Sequence, residues 1–140
     1  MDAFERDHLA EAGAPRRWAL AQAAAHLPPL GTTPRSIPVY QHGSLLLKLF
    51  SPHGTDPQQP HTRDEIYLVA QGNGWFVNGG VRHAFEAGDV LFVPAGVVHR
   101  FEDFSDDLML WVVFYGPEGG EKPRPVAHRS ATSRLATGNS

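Results

Sequence analysis

The chain has no cysteine. A disulfide scaffold, a thiolate zinc site, an iron–sulfur cluster and a cysteine nucleophile are therefore excluded. It has no apolar run near the roughly 20 residues that a membrane helix requires. It has no basic excess either. The formal net charge is -3, which argues against a nucleic-acid surface. Basic residues gather at the end of the chain, where Lys122, Arg124, Arg129 and Arg134 face only Glu121. The first residues, Met1 to Asp7, are acidic and unlike a signal peptide. The expectation is a cytoplasmic protein with no membrane and no nucleic-acid partner. With 140 residues there is room for one core but not two.

What the chain does have is 14 glycines, 12 prolines and eight histidines. So many chain breakers disfavour a helix bundle and favour short strands joined by turns. Residues 1–16 read as a loose arm. Residues 18–27 are rich in helix formers and stop at Pro28-Pro29, which predicts one short helix. From residue 35 the pattern becomes alternating and β-like. Expected strands lie at 36–40, 44–50, 65–70, 75–77, 81–85, 90–93, 97–104 and 108–115, with Gly72-Asn73-Gly74 as a turn. Asn78-Gly79-Gly80 is a hairpin signal. This set reads as an antiparallel barrel or double-sheet sandwich. Residues 117–140 lose periodicity and read as a disordered tail. The expected division is 1–34 arm and short helix, 35–116 barrel, 117–140 tail.

Chemistry concentrates in two stretches. The first is Gln59-Pro60-His61-Thr62-Arg63-Asp64-Glu65 with Gly72 beyond it. The second runs from Gly88-Asp89 through Pro94-Ala95-Gly96 to His99 and Asp103. His61 and Glu65 are separated by an even spacing, which puts both on one face of an extended chain. Gln59 shares that parity. If His99 faces them across a barrel, two imidazoles and one carboxylate meet. Such a set leaves coordination positions open on iron, manganese, zinc, nickel or cobalt, and affinity alone does not choose among them.

These stretches resemble the two motifs of the cupin superfamily. The spacing His61, three residues, Glu65, six residues, Gly72 matches the end of the first motif, and Gly88, Pro94, Gly96 and His99 match the second. Three positions depart. Gln59 stands where the motif's first histidine would be, Asp103 replaces the final asparagine, and the leading glycine has no clean counterpart. The resemblance implies a double-stranded β-helix, the cupin jelly-roll barrel, of all-β class with a short helix outside it. It implies a divalent metal ion on His61, Glu65 and His99, with the fourth place left to Gln59, to the neighbouring Gln58 or to water. It also implies a homodimer.

Strand parity adds pocket candidates. Tyr67 follows the parity of Glu65 and Phe101 that of His99, so both face the interior as pocket or core. Leu46, Lys48 and Phe50 form one strand face; if it points inward, Lys48 is placed to bind a substrate carboxylate or carbonyl, and if outward it is a snorkelling surface lysine. Tyr67 and Glu102 are the candidates for a catalytic base. The resulting expectation is a metal-dependent dioxygenase or isomerase acting on a small oxygenated molecule. The alternative is a non-catalytic module that binds a small molecule or a sugar.

Overall fold

The structure is a computed structural model and describes residues 16–123. Eight strands follow one short helix. They are β1 (Ser36–His42), β2 (Leu45–Phe50), β3 (Asp64–Gln71), β4 (Asn73–Asn78), β5 (Val81–Glu86), β6 (Val90–Val93), β7 (His99–Glu102) and β8 (Met109–Tyr115). All pairings are antiparallel. One sheet has the order β1-β2-β8-β3-β6 and the other the order β5-β4-β7. The fold is thus the all-β double-sheet barrel expected from the strand pattern.

The two sheets close over an apolar core. Tyr67, Val69, Leu110 and Val112 come from the larger sheet, and Phe76, Phe85 and Phe101 from the smaller. The rings interlock edge to face: Tyr67 and Phe101 have centroids 5.0 Å apart, and Phe85 and Phe101 5.4 Å. Such pairs add specificity to the area they bury. The turn at Gly79-Gly80 joins β4 to β5 with both residues at positive φ, as the Asn-Gly-Gly sequence predicts. Pro38 lies in β1, an edge strand, beside an irregularity in register between Pro38 and Tyr40. An edge is where a residue without an N–H is tolerated.

Three details differ from the sequence reading. The helix α1 spans only Leu20–Ala24, because no side chain caps Ala19 and the last bonds, from His26 and Leu27, are to residues three back. It nonetheless packs on the outside of the larger sheet, where Ala23, Ile37, Val39 and Leu49 form a second buried cluster. The expected turn at 72–74 is one residue long: β4 already starts at Asn73. Gly72 (φ 94°) is required there, since a Cβ would lie 2.8 Å from the Leu108 Cα. The first part of the expected tail is hydrogen-bonded to the barrel. Gly119 N–H donates to the Thr62 carbonyl (2.7 Å), and Glu121 N–H to Asp64 Oδ2 (2.8 Å). Asp64 is buried and its other oxygen accepts from Ala95 N–H, so a strand-entering carboxylate anchors the segment. The expected arm (1–15) and the rest of the tail (124–140) fall outside the described residues.

Candidate metal centre

Glu65 is the second residue of β3 and His99 the first of β7, so the larger and smaller sheets each supply one ligand-type side chain. His61 stands in the loop just before β3. That loop is held in place by its own backbone, since Gly96 N–H donates to the His61 carbonyl at 2.7 Å. Ligand atoms of His61, Glu65 and His99 all lie within 4.8 Å of one another. Glu65 Oε1 is 3.2 Å from His99 Nε2 and 3.9 Å from His61 Nε2. Two donors sharing one ion at metal–ligand distances of about 2.0–2.2 Å sit roughly 3–3.5 Å apart. The spacing fits such an ion closely at Glu65–His99 and loosely at His61–Glu65.

The chemistry of the buried atoms fits as well. Glu65 and His99 are both 1% exposed. His99 Nδ1 is 2.9 Å from the Val97 carbonyl. A carbonyl only accepts, so Nδ1 carries a proton in either charge state, and Nε2 is left to face Glu65 Oε1. Neither of those two atoms has a hydrogen-bond partner. With Nε2 deprotonated they are two buried acceptors turned toward each other, an arrangement that needs a cation between them, either a proton or a metal ion. A backbone carbonyl that accepts from the far nitrogen of a histidine is also the usual arrangement at a metal. The residues therefore fit a divalent ion.

Their titration follows from the same geometry. Burial opposes the charge on His99, but the Glu65 carboxylate and the Val97 carbonyl outweigh it, so its pKa is raised. For His61 burial wins over the attraction of Glu65, and its pKa is lowered. Burial also lowers that of Lys48, partly offset by Glu65. Burial, reinforced by the charge of Glu65, pushes the Tyr67 phenol well above its usual range.

A small recess of about 70 Å³ opens onto the cluster, lined by Lys48, Gln58, His61, Glu65, Tyr67, Phe50, Val112 and Phe114 among others. It adjoins an outer cavity of about 300 Å³ between the 31–35 segment and the 52–61 loop. The two share Pro34, Phe50, Gln58 and His61.

The cupin-domain family model matches residues 46–115, half of the chain and the part that carries all of these side chains but those before β2. The chain belongs to the cupin family. An uncharacterized protein of Streptomyces coelicolor is 44% identical over 64 residues, which are 46% of this chain and 61% of that protein. An acireductone dioxygenase of Leishmania infantum is 35% identical over 79 residues, covering 45% of this chain and 23% of the enzyme. The chain thus spans less than two thirds of either curated relative. Among solved structures, a cupin-2 domain protein of Shewanella frigidimarina superposes with a TM-score of 0.58 at 14% identity, covering 71% of this chain and 94% of that one. That likeness concerns the fold.

Within this cupin the expected site residues divide. His61, Glu65 and His99 come together. Lys48 lines the recess and does not snorkel on the surface, because β2 turns Lys48 and Phe50 toward the partner rows Val112 and Leu110. Tyr67 reaches the recess, but its O–H donates to Gln58 Oε1 at 3.1 Å. With a phenol pKa raised further, it is a hydrogen-bond donor and not a base. Phe101 is 2% exposed and lines neither cavity; it is core, packed on Tyr67, Phe76 and Phe85. Glu102 must be corrected as a base candidate. It points away from the interior and pairs with Arg82 (3.1 Å) and Arg100 (2.8 Å) on the outer surface. Those two hydrogen bonds lower its pKa.

The fourth position brings another correction. Gln59 is exposed and lines only the outer cavity. Gln58 is the amide at the cluster, with Oε1 3.2 Å from His61 Nε2. Asp56, 7% exposed, accepts from Gln58 Nε2 and from Phe101 N–H, and the sequence reading missed it. Its loop contains three prolines within residues 52–60 and has no periodicity from which a direction can be read.

Proposed function

We propose that this cupin holds a divalent metal ion on His61, Glu65 and His99 and acts on a small oxygenated molecule, as a metal-dependent dioxygenase or isomerase. The observation that carries the reading is the buried Glu65 Oε1–His99 Nε2 pair, 3.2 Å apart with no hydrogen-bond partner. The similarity to an acireductone dioxygenase over part of its length supports the oxidative class. The nitrogen and oxygen donor set is compatible with iron, manganese, zinc, nickel or cobalt.

When bound, the ion supplies Lewis acidity at a substrate oxygen. The chain does the rest. Lys48 lines the recess beside Glu65, whose charge it feels, and among the described residues it makes no hydrogen bond or ion pair. Its ammonium is placed to orient an anionic or carbonyl oxygen. Phe50, Val112 and Phe114 form the apolar wall of the recess. Val97 holds His99 in one tautomer. The outer cavity of about 300 Å³ has room for a small ligand only.

A second reading, a binding module without turnover, is favoured by one observation. Among the described residues, neither cavity is lined by a carboxylate other than Glu65 and Asp56 or by a histidine other than His61 and His53. His53 lies 3.9 Å from Asp106 on the surface. A free general base is thus missing. Oxygen uptake by the iron-loaded protein with a panel of catechols, diketones and thiols separates the two. Turnover of any member supports the enzyme, and none with any metal supports the binding module.

We also read the chain as a cytoplasmic homodimer, its barrel spanning residues 35–116. Support for the dimer comes from the outer face of β3 and β6, where Leu68, Val90 and Phe92 are 39–60% exposed. No helix among the described residues is long and apolar enough to cross a membrane.

A further inference from the structure

We propose that Gln58 is the fourth protein ligand of the metal, and that Asp56 and Tyr67 are positioning residues that hold its amide in the ligating orientation. This rests on the metal-centre reading above.

An amide side chain has two ends of opposite character, and its neighbours decide which end faces the ion. Gln58 Nε2 lies 2.6 Å from Asp56 Oδ2. A carboxylate accepts and does not donate, so the NH2 end must face Asp56. The carbonyl end is then turned to the cluster, where Oε1 lies 3.2 Å from His61 Nε2. That spacing is again what two donors on one ion show. A carbonyl oxygen has two lone pairs. The Tyr67 hydroxyl uses one, at 3.1 Å; the other accepts from His61 Nε2 when that nitrogen carries a proton, and is open to a cation beside His61 when it does not.

The clamp is also registered to the opposite sheet. The same Asp56 Oδ2 accepts the backbone N–H of Phe101 at 2.9 Å. Phe101 lies two residues beyond His99 on β7. One oxygen atom therefore fixes the 52–61 loop against the strand that carries His99. Gln58 thereby takes over the task of the motif histidine replaced at position 59, whose own side chain is exposed. The donor set is two imidazoles, one carboxylate and one neutral amide oxygen, a harder and more weakly binding set than three imidazoles and a carboxylate.

Cobalt(II) alone is the probe, added to the full chain and read in two ways: affinity by chelator competition, and coordination by the visible absorption of the bound ion. Gln58→Leu is expected to weaken cobalt binding by about 10–100-fold, the range seen when a supporting group is lost, and to change the spectrum. Gln59→Leu should change neither. Asp56→Ala should weaken binding in the same direction, while Asp56→Asn, whose amide oxygen can accept both bonds, should restore it. Wild-type affinity and spectrum in Gln58→Leu would overturn the assignment, as would a loss confined to Gln59→Leu. If Asp56→Ala fails to fold, Gln58→Leu against Gln59→Leu still decides. A wild-type chain that binds no cobalt would overturn the metal-centre reading itself, a different result from a bound ion indifferent to Gln58.

Discussion

Along β3 the inward side chains run Glu65, Tyr67, Val69; along β7 they run His99, Phe101; along β2, Lys48 and then Phe50. On each strand the interior passes from a polar or charged group to an apolar one within two or four residues. The register places these steps side by side, since Lys48, Val112 and Tyr67 form one row and Phe50, Leu110 and Val69 the next. The barrel thus has a polar end and an apolar end built on the same strands. At the apolar end, Phe76 and Leu110 are fully buried and the rings pack in direct contact. At the polar end, Glu65 and His99 are equally buried, yet two of their atoms lack partners. Burial is the same; satisfaction is not. One end holds the fold, and the other carries unmet bonding capacity that a metal ion can satisfy.

The comparison can be broken first at the apolar end. Leu110→Ala removes a fully buried side chain and should cost about 2–5 kcal/mol, read by denaturant unfolding, while metal affinity of the folded protein stays unchanged. A parallel loss of metal binding would show that the two ends are not separable.

The next effect is on pH dependence at the polar end. Proton and metal compete for His99 Nε2, and its pKa is raised in the fold. Metal affinity should fall as pH drops through that raised value. In the metal-free chain the sign is opposite. The tightly held proton on His99 contributes stability in full below the ordinary imidazole pKa, and that contribution is lost as pH rises through the folded value. The rise in Tm on adding metal should therefore grow as pH rises through the raised His99 value, since the ligand must be unprotonated. Thermal melts with and without metal measure it.

A smaller change is expected from Lys48→Met. Its ammonium is desolvated, so the fold should lose nothing. Binding of a small carboxylate to the metal-loaded protein should weaken on the order of tenfold, the worth of one charge-assisted hydrogen bond; calorimetry reads both. Least of all should follow from Glu102→Ala. Glu102 lies outside the barrel with Arg82 and Arg100, so metal affinity and any turnover should be unaltered.

How far the sequence carries this picture depends on whether a residue lies on a regular element. Glu65, Tyr67 and His99 sit on strands, where a period of two ties Tyr67 to the face of Glu65 and Phe101 to that of His99; the same period groups Lys48 with Leu46 and Phe50 but leaves open which way that face points. The same rule already sets Glu102 opposite to His99, three positions apart, so its candidacy fails on parity and not on an unforeseen packing. His61 is legible through motif spacing alone. Gln58 and Asp56 are not, because their direction comes from hydrogen bonds to Tyr67 and to the Phe101 backbone, contacts nine and 45 residues away in the chain. The segment after β8 reads as featureless for a similar reason: Gly119 and Glu121 are held through backbone N–H groups, which leave no mark in side-chain composition.

The central claim is that the unpartnered Glu65–His99 pair, with His61, is a metal site. Its most direct test is metal stoichiometry. The protein is stripped with a chelator, titrated with iron(II), manganese(II), zinc, nickel or cobalt, and compared with His99→Ala. One ion per chain is expected for the wild type and none for the variant. A wild type that takes up no divalent metal, or a variant that retains its ion, would contradict it.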